Sequence, residues 1–158
     1  MKRVLVCGGR WWNNQVRVDA VLDQLHAEIG IAVLIQGGQQ TTVRRGGQMV
    51  SFGADYQAKV WAEKRGIPCI EEPAHWDVHG KAAGSIRNSQ MLRLHKPDLG
   101  VAFPGQNGTF DMVSKMRAAG VPVYEVPRED YALYQPEPDA RPEAGVGGPI
   151  GADEHGVM

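Results

Sequence analysis

The sequence predicts an α/β domain, a Rossmann-like, doubly wound, five-stranded parallel sheet with helices on both faces. Two observations predict it. Short runs that are apolar without alternation, such as residues 4–7 and 31–35, alternate with longer segments of helical period. Glycine turns follow three of those runs, at Gly8-Gly9, Gly37-Gly38 and Pro104-Gly105. With right-handed crossovers, such turns share one sheet edge, where ligands of doubly wound folds bind.

The first strand spans residues 3–7. A loop with Trp11 and Trp12 follows, and Asn13 or Asn14 caps a helix whose Val18, Val21, Leu22, Leu25 and Ile29 form one face, stopped by Gly30. The second strand covers residues 31–35. Residues 39–52 are polar, and Thr41, Thr42 and Val43 against Met49 and Val50 suggest a β-hairpin turning at Gly46-Gly47. Ala54, Ala58, Trp61 and Ala62 then mark a helix ended by Gly66, and residues 67–70 a third strand. Residues 73–83 read as a loop holding His75, Trp76, His79 and Lys81. Gly84-Ser85 opens the next helix, with Ser85 as cap, running to about His95. Residues 99–103 form the fourth strand, a helix presenting Met112, Val113, Met116 and Ala119 ends at Gly120, and residues 121–126 form the fifth strand. The domain is therefore placed at residues 1–126. Residues 127–158 are rich in Pro, Gly and acidic side chains and are expected to form a flexible tail, with Tyr131, Leu133 and Tyr134 as a short packed appendage.

A chain of 158 residues suits one such domain. Its 17 basic and 18 acidic side chains give a net charge of -1, which offers no general footprint for nucleic acid or membrane. Cys7 and Cys69 lie in strand-like runs, as expected of reduced thiols. With no secretory-type segment at the start, a cytoplasmic protein is expected. Trp61 and Leu92 would suit a homo-oligomer interface or the core equally well.

The chemistry concentrates on the predicted edge. The turn over residues 104–109 hands a strand to a helix N-terminus, where unpaired N–H groups and the macrodipole favour a phosphate. A glycine turn needed only for its shape is the alternative. Arg87 shares a helix face with Met91 and Leu94, so it needs an anion: Asp55, Asp111, or a ligand phosphate or carboxylate. Asp111, just inside the last helix, either complements the dipole or grips ribose hydroxyls as an acid/base group. Trp11, Trp12 and Trp76 would stack on a base or cover a core edge, and Lys81 suits a phosphate. His75 and His79 lack further ligands, so no metal is expected. No GxGxxG, GxxxxGK[ST] or nucleophile motif is present, and no cofactor is expected.

Four ordered stretches resemble the YspA-type (cpYpsA-related) SLOG family. They are Val4 to Arg10, Gly53-Ala54-Asp55 leading to Trp61-Ala62, Gly80 to Gly84 leading to Arg87-Asn88, and Pro104-Gly105 to Gly108-Thr109. The wider superfamily includes the LOG phosphoribohydrolases, the DprA DNA-processing proteins and sensor domains for NAD-derived nucleotides. The resemblance implies a small nucleotide-type ligand (AMP, ADP-ribose or NAD-related) that is sensed, carried or sequestered. Its site would be built from Gly8, Gly9, Arg10, Trp11, Gly37, Gly38, Asp55, Trp76, Lys81, Arg87, Asn88, Pro104, Gly105, Gly108 and Thr109. In the LOG enzymes an arginine and a glutamate cleave the N-glycosidic bond of a nucleoside 5'-monophosphate, and Arg87 and Asp111 match them by position. Gln106 in place of a second glycine, and aspartate in place of glutamate, weaken the implied activity more than the implied binding. Residues 39–52 read as an insertion between two stretches expected to be nearly continuous in relatives, putting Arg44 or Arg45 over a ligand phosphate. A DprA-like role on DNA is disfavoured by the lack of basic surplus.

Overall fold

The computed structural model describes residues 1–128. The expected tail and its tyrosine appendage fall outside them, apart from Pro127 and Arg128. The elements are β1 (Lys2–Cys7), α1 (Gln15–Ile29), β2 (Ile31–Gln36), β3 (Thr41–Arg45), β4 (Gln48–Phe52), α2 (Ala54–Arg65), β5 (Cys69–Glu71), α3 (Trp76–His79), a 3-10 turn (Gly80–Ala82), α4 (Ala83–His95), β6 (Leu99–Ala102), α5 (Asn107–Ala118) and β7 (Val123–Glu125). The main sheet runs β5-β2-β1-β6-β7 and all four pairings are parallel. The strand order reverses at β1, so the crevice between the ends of β1 and β6 is the switch point.

Both faces of the sheet are covered, which is why Val4, Leu5, Val6 and Cys7 are all fully buried. Val4 and Val6 pack with Val18 and Leu22 of α1 and with Ala58 and Trp61 of α2. Leu5 and Cys7 face the other way, toward Met91 of α4 and Met112 and Met116 of α5.

Asn14, not Asn13, caps α1, its Oδ1 accepting the Arg17 N–H at 3.0 Å. Asn14→Ala should cost about 1 kcal/mol in urea denaturation, since Ala offers no acceptor to that orphan N–H. The hairpin forms as read: β3 and β4 pair antiparallel from Thr41↔Phe52 to Arg45↔Gln48. Gly46 and Gly47 both take positive φ (57° and 81°), the two-residue turn whose twist suits a hairpin.

Two strands begin later than expected for one reason. The Ile67 N–H caps α2 by donating to Ala62 O, and the Val121 N–H caps α5 by donating to Met116 O. The following Pro68 and Pro122 have no N–H, so ladder pairing starts beyond them. The 73–83 segment is not a plain loop but α3 and the 3-10 turn, folded on the His75 carbonyl, which accepts from Val78 and His79. Helix α4 starts at Ala83 with no side-chain cap, so Ser85 lies inside it and Arg87 is past its first turn. Likewise α5 begins at Asn107, which puts Gly108 and Thr109 in its first turn and Asp111 beyond it.

Candidate functional site

The carboxyl edge is built from turns that touch. Gly9 N–H donates to Pro104 O at 2.9 Å, locking the β1 turn to the β6 turn across the switch point. A Cβ on Gly8 would lie 2.6 Å from Ala54 Cβ and 2.8 Å from Phe103 Cβ, and one on Gly9 would lie 2.8 Å from Pro104 O. These two glycines are required because chain approaches chain. Ala54 N–H donates to Gly9 O, Gly53 N–H to Trp12 O and Thr41 Oγ1 to Arg10 O, which docks the base of the hairpin on the same loop.

The first turn of α5 forms the other wall. Gln106, at its N-cap, has φ -121°, a value any residue adopts, so its replacement of a glycine carries no strain. Its side chain makes no cap bond. Among the described residues the N–H groups of Asn107, Gly108 and Thr109 have no hydrogen-bond acceptor. Thr109 is 6% exposed, its Oγ1 is also without a partner, and it lies against the α-carbon of Gly105.

Arg87 lies elsewhere. It is 2% exposed, and its Nη1 donates to Gly37 O at 2.5 Å and to Glu72 O at 3.4 Å, while its Nε donates to Asn88 Oδ1 at 3.0 Å. It thus ties the ends of β2 and β5 to α4. Buried Asp55, in the first turn of α2, accepts the Gln39 N–H at 3.1 Å, and the Gly37 backbone beside it also favours the charged form. Gly37 separates the two charged groups: a Cβ there would lie 2.7 Å from Arg87 Cζ and 3.0 Å from Asp55 Oδ2. Of Arg87's two expected protein partners, Asp55 is therefore the near one, held beside it without a direct hydrogen bond. Burial pushes the Asp55 carboxyl up to about 6, against the pull of Arg87 and of the Gln39 and Gly37 backbone. Burial also lowers the Arg87 guanidinium, which the Asp55 charge opposes. Cys7 is pushed far up by burial and by Asp55, which leaves it an inert thiol.

Asp111 is fully engaged. Its Oδ2 accepts from Asn88 Nδ2 (3.0 Å) and Lys115 Nζ (2.9 Å), and its Oδ1 from Ser85 Oγ (3.3 Å). Asn88 also reaches Gly108 O at 3.3 Å, so it links Arg87 to the first turn of α5.

The tryptophans divide. Trp12 is fully buried against Phe103 and covers the core edge, whereas half-buried Trp11 lies 5.8 Å from Phe52, with the Arg10 guanidinium 5.7 Å from its ring. Burial lowers Arg10 to about 10, still a cation at neutral pH. Gly38 takes φ 78° and donates to Gln36 Oε1. Trp76 opens α3 half-exposed, Lys81 is exposed on the 3-10 turn, and Arg44 is exposed on β3. No contact brings Trp76 or Lys81 to the α5 turn among the described residues. No cluster of three or more metal-ligating side chains occurs among them either. A separate groove of about 340 Å³ runs along α1 beside β6 and β7, lined by residues including Leu25, Leu99 and Tyr124.

Sequence similarity carries the assignment further. The Gene 61 protein of Mycobacterium phage D29 is 35% identical over 131 residues, spanning 78% of this chain and 94% of that protein. The YspA, cpYpsA-related SLOG family model matches residues 2–79. The chain belongs to that family. SLOG membership points to a nucleotide-related function, and the matched stretch contains Gly8-Gly9, Gly37-Gly38, the hairpin and Asp55. No helix among the described residues is long and apolar enough to cross a membrane.

One edge residue escaped the sequence reading. Arg128, assigned to the tail, donates from Nη2 to Gly105 O at 2.7 Å. The signal for it is topological: in a parallel sheet, residues just past the last strand arrive at the same edge as the other strand ends.

Proposed function

We propose that this SLOG domain binds a nucleotide or nucleotide-derived ligand, its phosphate resting on the first turn of α5. The observation that carries the reading is the open start of α5. Three backbone N–H groups and the buried Thr109 hydroxyl are left without partners beside the switch point. The glycine turn at residues 8–9 and half-buried Trp11 form the neighbouring wall, where a base or ribose would lie. Binding without turnover suits the surroundings best. Arg87 is buried with Nη1 on two main-chain carbonyls and Nε on Asn88, only Nη2 being unpartnered. Asp111 already meets three donors, so both are engaged in holding the edge together rather than turned to an oxocarbenium ion or a water. The domain then acts as sensor, carrier or sequestering protein.

Calorimetric titration with AMP, ADP-ribose, NAD and cyclic nucleotides is expected to give saturable binding for at least one. Heat from none of them would refute the assignment. Chromatography after incubation with AMP should show no free adenine. Release of adenine that Asp111→Ala abolishes would restore the phosphoribohydrolase reading.

A further inference from the structure

A phosphate on the α5 turn needs a cation as well as N–H donors, and Arg87 is badly placed to supply it. Turning its guanidinium outward would abandon three oxygen acceptors and leave the Asp55 carboxylate buried alone. Another arginine stands at the turn itself. β7 runs parallel beside β6, and the Val126 N–H extends the ladder by donating to Ala102 O at 2.8 Å. The chain therefore leaves the sheet next to the β6–α5 turn, and Arg128 reaches Gly105 O with Nη2 at 2.7 Å. Arg128 is exposed, and among the described residues that carbonyl is its only hydrogen-bond partner. A guanidinium carries five donors in a planar fork that matches phosphate oxygens. One donor on Gly105 anchors the fork two residues before α5 begins and, among the described residues, leaves the others for a ligand.

We propose that Arg128 is the cationic contact for the ligand's phosphate, so that the charge comes from the segment after the last strand and not from α4. The inference rests on the α5 turn being the phosphate site. It deepens that reading by making a phosphate monoester, rather than a bare nucleoside, the preferred class.

The test compares full-length wild type, Arg128→Ala and Arg128→Lys by calorimetry with AMP and with adenosine, at low and high salt. Arg128→Ala is expected to weaken AMP on the order of tenfold or more, with adenosine unchanged and a shallower salt dependence. Arg128→Lys should retain part of the affinity, because it keeps the charge but loses the fork. AMP binding equal in wild type and Arg128→Ala overturns the proposal while leaving the α5 site standing. An equal loss for AMP and adenosine also overturns it, since the contact is then not to phosphate. Wild type that binds none of AMP, ADP-ribose, NAD, cyclic nucleotides and inorganic phosphate removes the site reading and this inference together. Wild type that binds another of these but not AMP or phosphate overturns this inference alone.

Discussion

Arg87→Met is expected to destabilise the protein by about 3–5 kcal/mol at pH 7, the cost of removing one partner from a buried charged pair. The methionine fills much of the volume, so the loss is electrostatic. It leaves Gly37 O without its donor and the buried Asp55 carboxylate without its nearest cation. The cost should shrink at pH 5, because Asp55 can then take up a proton instead of staying charged and unpaired. Adding Asp55→Asn should recover part of the loss at pH 7. Urea denaturation of the two single variants and the double variant at both pH values gives the coupling directly. A cost below about 1 kcal/mol, or one equal at both pH values, would contradict this account of Arg87. Lost ligand binding in an Arg87 variant would therefore not identify a phosphate contact, because the edge proposed to hold the ligand would be damaged too. Arg128 carries no such burden, which makes it the cleaner probe.

What the sequence discloses about this edge follows from where each signal is stored. The sheet is legible because residues 4–7 and 31–35 are apolar without alternation, and only a strand buried on both faces requires that. The hairpin is legible because two glycines together imply positive φ at both turn positions. Helix α3 is not, since a four-residue turn shows too little period to register. The starts of β5 and β7 were misplaced because apolar residues continue the strand pattern while their N–H groups cap helices. Arg87 is buried beside Met91 and needs partners, as its spacing implies. Leu94, the third residue of the expected stripe, is exposed because that face of α4 leaves the core past Met91. The partners of Arg87 are largely main-chain carbonyls, which no side-chain pattern encodes. The need for Gly8 and Gly9 has the same origin, since it lies in contacts across the sheet to Ala54, Phe103 and Pro104. Glycine spacing thus marks close packing of chain on chain at this edge, which is a different reason from the access it suggested.

The second large effect is a pH dependence with an unusual sign. Asp55 sits at about 6 in the folded protein, above an unfolded carboxyl near 4, because burial outweighs Arg87 and the Gln39 and Gly37 backbone. Between those two values the folded state holds more protons than the unfolded state, so stability falls as pH rises. The contribution is complete below about pH 4, declines through the window and is gone above about 6, with a size on the order of 2–3 kcal/mol. The charged groups facing Asp55 are Arg87 from α4 and Glu71 from β5, with the Cys7 thiol from β1 beside them. Exposed Asp23 tilts the other way, since Arg65 lowers it and its help is lost as pH falls. The Asp55 component must therefore be isolated by difference. Asp55→Asn keeps an oxygen for the Gln39 N–H but cannot titrate, so its stability curve should lack the decline. Subtracting the variant's urea-derived stability from that of wild type, between pH 4.5 and 7.5, should give a curve that drops with rising pH. A flat or rising difference would mean that Asp55 is ionised throughout and that Arg87, not burial, governs it. Because the Asp55 carboxylate holds the turn from which the hairpin springs, the Gln39 amide should exchange faster at pH 5 than the general pH trend of exchange predicts, and Asp55→Asn should remove that excess.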